Sequence, residues 1–258
     1  MAKKSEKSPK YNLSVGSRKS SAEFGYSSNL ASVLKNALAP LVFGQYGNAL
    51  HKRLQKCITA AIARGLAAKK GNRTMAEGDV SVLKGLELNT YTPFSALTFS
   101  LVLRAAIFPE TNTLRIEMPA IRPDCFRWPE RAQAAYLNVR CLVVDVKHRM
   151  VVGSYTLEPV TIAEAGTGSP PRRATVKTTD LEDRMVLVAT GVSFFRTDSE
   201  GEEGLISHNR KYYAAQLVEA AYVKDGKVVV FNYNDKKPDP VMPSSESEVL
   251  TIKWDNDD

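Results

Sequence analysis

Ala214 to Tyr233 read AAQLVEAAYVKDGKVVVFNY. Two β-rich runs, Ala214 to Val223 and Lys227 to Tyr233, flank Asp225 and Gly226, a dipeptide whose tolerance of positive φ suits a two-residue antiparallel turn. That hairpin sets the frame, and the same period of two recurs on its N-terminal side. Met185 to Phe195 and Ala174 to Thr178 read as strands, as do Tyr136 to Val146 and Met150 to Ile162 around the turn Lys147 to Arg149. Leu97, Phe99, Leu101 and Leu103 alternate with Thr98, Ser100, Val102 and Arg104, and Leu114, Ile116 and Met118 follow the turn-forming segment Pro109 to Thr113, which predicts another hairpin. Val249 to Lys253 is expected to close an edge. About ten strands without alternating helices predict a mainly β fold, a two-sheet antiparallel β-sandwich of jelly-roll or Ig-like type. Its expected core is Leu97, Phe99, Leu101, Val139, Cys141, Val143, Leu187, Val192 and Phe194, with alternate positions more exposed.

The N-terminal part has another texture. Residues 2–27 are rich in Lys, Ser and Gly, which predicts a basic arm, extended when alone. Leu30, Val33, Leu34, Ala37, Leu38 and Leu41 then recur at helical spacing, with Ser27, Ser28 and Asn29 as N-cap candidates and Pro40 at the end. A second amphipathic run presents Leu50, Leu54, Cys57, Ile58, Ala61 and Ile62 on one face and stops at Gly65. These stripes are expected to pack on each other or on the sheet. The predicted organisation is an arm at 1–27, a two-helix extension at 28–73, a sandwich at 74–234 and an acidic tail at 235–258.

Charge follows the same division. The chain carries +7 overall, yet residues 1–73 hold 14 Lys and Arg against Glu6 and Glu23, leaving 21 basic and 26 acidic residues beyond. A basic arm of this kind binds polyanions or acidic protein surfaces, or simply keeps the chain solvated. Lys3, Lys4, Lys7, Lys10, Arg18 and Lys19 are the candidate polyanion contacts. Tyr11, Leu13 and Val15 alternate as a short strand would, and Phe24 and Tyr26 offer anchors, so these five are the candidate partner contacts on a sandwich edge.

No stretch reaches the roughly 18 apolar residues of a membrane span, and no apolar run follows the first lysines as in a secretory signal. Cys57, Cys125 and Cys141 are odd in number and widely spaced, which fits reduced core thiols and a cytoplasmic location.

The residues that carry chemistry are scattered. His51, His148 and His208 have no second His or Cys at ligand spacing, so neither a metal nor a cofactor is expected. Asp145, His148 and Ser154 occur in a triad-like order, but an Asp capping its own turn is the simpler reading. Gly166 with Gly168, and Gly201 with Gly204, lack the Lys-Ser/Thr ending of a phosphate loop. The connector Arg122 to Arg131 (RPDCFRWPER) has two readings: a ligand loop with Trp128 as a stacking surface, or a plug in which Phe126 and Trp128 close the sandwich end.

SAEFG at 21–25 with the run Val33 to Val42, GDVSVLKGLELN at 78–89, LVATGVSFF at 187–195 and YYAAQLVEAAYV at 212–223 together resemble a family of uncharacterised Bacteroidota-type bacterial proteins with an N-terminal helical segment and a β-rich domain. The resemblance implies one shared architecture and transfers no site residues. The expected function is a non-catalytic structural or assembly protein, homo-oligomeric or bound to a macromolecular partner through arm and edges. The alternative is a nucleic-acid or polyanion-binding protein using the arm. A carbohydrate-handling or hydrolytic enzyme is a third reading.

Overall fold

The computed structural model describes residues 13–46, 49–66, 69–99, 101–197, 203–206, 209–232 and 237–240. Lys3, Lys4, Lys7, Lys10, Tyr11, His208 and the edge strand expected at Val249 to Lys253 lie outside the described residues. Helices α1 (Val15–Leu38) and α2 (Leu50–Ala63) are followed by a single helical turn, α3 (Phe94–Leu97). The strands are β1 (Arg104–Phe108), β2 (Thr113–Met118), β3 (Ala134–Asp145), β4 (Met150–Thr156), β5 (Val160–Ala163), β6 (Arg172–Lys177), β7 (Arg184–Thr197), β8 (Glu203–Leu205), β9 (Ala214–Lys224), β10 (Lys227–Asn232) and β11 (Lys237–Pro240).

These strands form two antiparallel sheets. The small one has the order β1-β2-β6; the large one runs β11-β10-β9-β7-β3-β4, with β5 also on β3 and β8 on β7. The predicted β9–β10 hairpin forms with Asp225 at φ 51° and Gly226 at φ 67°, the left-handed pair its turn demands. Between the sheets lies a core built from Leu114, Ile116 and Val176 on one side and Val139, Cys141, Val143, Val192 and Phe194 on the other. The molecule is thus a β-sandwich, with the large sheet also covered on its other face. There α1 and α2 place Leu30, Leu34, Leu54 and Ile58 against Leu142, Val144, Leu187 and Leu217.

That second layer corrects the expected exposure of alternate positions. Leu187 packs under the helices and not between the sheets, and β7 is buried on both faces from Met185 to Phe194. The segment read as the first hairpin strand is also different. Pro93 opens the α3 turn, the Thr98 hydroxyl donates to the Phe94 carbonyl, and pairing with β2 starts only at Arg104. Leu97, Leu101 and Leu103 are buried, but Phe99 is 50% exposed and outside the core. Alternation over so few residues does not distinguish a strand from a turn plus an irregular connector.

The largest departure is at the N-terminus. Helix α1 begins at Val15, capped by the Ser14 hydroxyl, so the second half of the predicted extended arm is helical and the expected boundary at residue 27 falls inside one helix. Buried contacts supply what local composition lacked. Glu23 meets Arg73, and the Tyr26 hydroxyl donates to Val146 O at 3.0 Å while accepting Met75 N–H at 3.1 Å.

Candidate polyanion-binding face

Strand alternation sorts the small sheet into two surfaces. On β1, Ala105 and Ile107 turn inward to the core; on β2, Leu114, Ile116 and Met118 do so, and on β6, Ala174 and Val176. The alternate residues therefore share the outer surface. The register aligns them in three cross-strand rows: Arg104, Glu117 and Arg173; Ala106, Arg115 and Thr175; Phe108, Thr113 and Lys177. Among the described residues of these rows, four are cations and one, Glu117, is a carboxylate. The guanidinium of Arg115 lies 4.3 Å from the Phe108 ring centroid, a cation–π contact, and its Nη1 is buried without a hydrogen-bond partner.

At the Arg104 end the surface opens into a cleft of about 340 Å³ between Val102, Pro119 and Pro171, with Arg104, Arg172 and Glu117 among its walls. The 166–171 loop is held here by a bridge between Ser169 and Ile121, and Arg172 Nε donates to Ser169 Oγ at 2.8 Å. The sheet therefore presents positive charge that the division at residue 73 hides. Residues 101–177 contain eleven Lys and Arg against seven Asp and Glu. Arg115, Glu117, Arg173 and Lys177 were legible as outward charges from the alternation in TLRIEM and RATVK, but no local pattern brings β6 beside β2.

The sequence-derived candidates occupy other places. Leu13, Arg18, Lys19 and Phe24 are exposed, as is Val15, and Lys19 lies against the backbone of Gly71. Val15 opens a helix, so the short-strand reading of Tyr11, Leu13 and Val15 does not hold at Val15. Tyr26 is half-buried with its hydroxyl bonded within its own chain, and burial pushes that hydroxyl up to about 12.

Asp145 accepts the His148 backbone N–H at 2.8 Å and approaches His148 Nδ1 at 3.0 Å and Arg184 Nη1 at 3.2 Å. Burial opposes its ionisation, yet the hydrogen bonds from His148 and the charge of Arg184 outweigh it and hold the carboxyl below its ordinary value. Ser154 pairs with Leu142, three residues back along β3 from Asp145. The arrangement is a turn cap, with no triad order in space. In the Arg122 to Arg131 connector Phe126 is buried and Trp128 packs edge-on against Phe194 at 5.6 Å, its indole N–H donating to Pro123 O at 2.8 Å. The plug reading describes it. Cys57, Cys125 and Cys141 are unpaired thiols, and burial raises that of Cys141 to about 12, far from nucleophilic range. Among the described residues, three or more His, Cys, Asp or Glu nowhere cluster as metal ligands would, and no helix is long and apolar enough to cross a membrane.

No protein-family model and no curated protein matches the chain. Among solved structures, the solution structure of the third C2 domain of the KIAA1228 protein is similar at 12% identity, covering 48% of this chain and 87% of that one, with a TM-score of 0.23. A match at that TM-score carries no argument about function.

Proposed function

We propose that this chain is a non-catalytic binding protein that engages a polyanionic macromolecule through the outer face of its small sheet. The observation that supports the reading is the register: three strands bring Arg104, Arg115, Arg173 and Lys177 onto one surface with Glu117 as the single acid among them. Arg18 and Lys19, on the exposed first turns of α1, belong to the helical layer on the opposite side of the large sheet and form no part of this surface. The carboxylates with chemical potential, such as Asp145 and Glu23, are occupied in holding turns and loops, which favours binding over catalysis.

Binding of a labelled oligonucleotide and of heparin, followed by fluorescence anisotropy across a salt series, tests the proposal. The logarithm of the association constant should fall linearly with the logarithm of salt, and charge reversal at Arg115 or Lys177 should weaken binding and lower that slope by about one per lost contact. Affinity that ignores both salt and these substitutions overturns it.

Self-association is a second reading, favoured by a separate observation. Among the described residues β1 pairs only with β2, which leaves its outer edge as a place where another strand could add. A homo-oligomer built on this edge would show a concentration-dependent mass in sedimentation, and a constant monomer mass would exclude it.

A further inference from the structure

We propose that residues 249–254 (VLTIKW) add to the outer edge of β1 as an antiparallel fourth strand of the small sheet. The core is incomplete along this edge. Ala105 and Ile107 face inward yet are only half-buried, whereas the inward residues of the central strand, Leu114 and Ile116, and of the opposite edge, Ala174 and Val176, are buried. In the facing sheet Val228 packs into this core, but Val230, two residues on and so on the same side of β10, is 55% exposed. The backbone is open as well. Among the described residues, no N–H or C=O of Arg104 to Ile107 bonds outside the β1–β2 ladder, and in an antiparallel strand half of these groups point away from the existing partner. Other edge strands carry features that discourage pairing. β11 reads KPDP with two prolines, β6 carries Arg172, Arg173 and Lys177, and the β4 ladder shifts at a bulge between Val143 and Val144. β1 (RAAIF) has an unbroken ladder, no proline and one charge, Arg104, at its start.

The sequence supplies a strand of the right kind close by. Residues 249–254 alternate Leu250, Ile252 and Trp254 with Val249, Thr251 and Lys253, so one face covers Ala105, Ile107 and Val230 while the other meets solvent. The Pro109–Thr111 turn at the end of β1 lies beside β10, and β10 pairs with β11 as far as Pro240, opposite Val229. The eight residues 241–248 reach about 26 Å when extended, which exceeds the length of the five-residue β1. A segment arriving from that side meets β1 at Phe108 and runs antiparallel to it. Charge favours the same direction: Asp255, Asp257 and Asp258 then follow beside exposed Arg104, whereas a parallel strand would carry them towards Glu110. The edge is the one a second copy would otherwise use. Tethering favours the segment, because its effective concentration, on the order of millimolar, exceeds that of a separate chain in dilute solution.

Amide hydrogen exchange in the full chain tests the proposal, because the β1 amides that point away from β2 exchange slowly only when another strand accepts them. The parent is compared with Ile252→Asp, which puts a charge on the covered face, and with Ile252→Pro, which cannot sit inside a paired strand, each at low and high protein concentration. In the parent the outward β1 amides should be protected at both concentrations. In both variants they should exchange at least about tenfold faster, while the β2 amides stay as slow as in the parent and show that the sandwich remains folded. Fast exchange of the outward β1 amides in the parent, or equal exchange in parent and variants, overturns the proposal. Protection that rises with protein concentration and ignores both substitutions assigns the edge to a second copy and overturns it as well.

Discussion

Glu23 shows how much one side chain decides in this molecule. Its carboxylate accepts the Gly71 N–H at 2.7 Å and both Arg73 Nε and Nη2 at 2.8 Å, a bidentate pair whose side chains are each 10% exposed. The hydrogen bonds from Arg73, against the cost of burial, hold the carboxyl below its ordinary value. A carboxyl depressed on folding stabilises the native state fully above its unfolded value, near pH 4.3, and that contribution disappears as pH falls through the lower folded value. Glu23→Gln should therefore destabilise the protein at neutral pH by about 3 kcal/mol, the lower end for breaking a buried pair. The gap between variant and parent in urea melts should narrow steadily as the pH is taken below about 4. A gap that stays constant on acidification would show that the ionised pair is not what Glu23 contributes. The sequence marks Glu23 only as one of two acids among 14 cations, because its partner lies 50 residues further along.

At the scale of elements, β7 is where the two layers of core meet. It pairs with β3 and β9, sends Val192 and Phe194 between the sheets, and turns Leu187 and Ala189 to the helices. The strand itself was legible in its run of β-branched and apolar residues. The unbroken run MVLVA was also a legible sign of burial on both faces, since a half-exposed strand alternates. What it could not reveal was the covering element. Gly191 marks that contact: a Cβ there would sit 2.7 Å from the Leu41 carbonyl oxygen and 3.2 Å from the Ala215 methyl. Gly191→Ala should cost roughly 1–3 kcal/mol through overpacking, read as a lowered thermal midpoint with the strand content by circular dichroism retained. An unchanged midpoint would mean that the helical layer gives way at no cost.

For the whole molecule, the helices and sandwich share a core, so the N-terminal segment is not a detachable appendage. Deleting residues 2–27 removes Glu23 from Arg73, the Tyr26 hydroxyl from Val146 and Met75, and buried Ser27 from the α1 turn. The thermal midpoint should fall by several degrees or more, as a loss of a few kcal/mol implies for a domain of this size; an unchanged midpoint would return the segment to the status of a solvated arm. Some of this architecture follows from sequence alone. Apolar residues at spacing two or three to four, with Asp225 and Gly226 at a turn, determine strands, hairpins and the buried stripes of α1 and α2, because those patterns are satisfied within one element. Tertiary structure alone decided the rest: α1 extending back to Val15, helices covering the large sheet, Phe99 left at the surface, and the cations of β1, β2 and β6 joined in one face. Each depends on pairing between distant segments, where burial and register override local propensity.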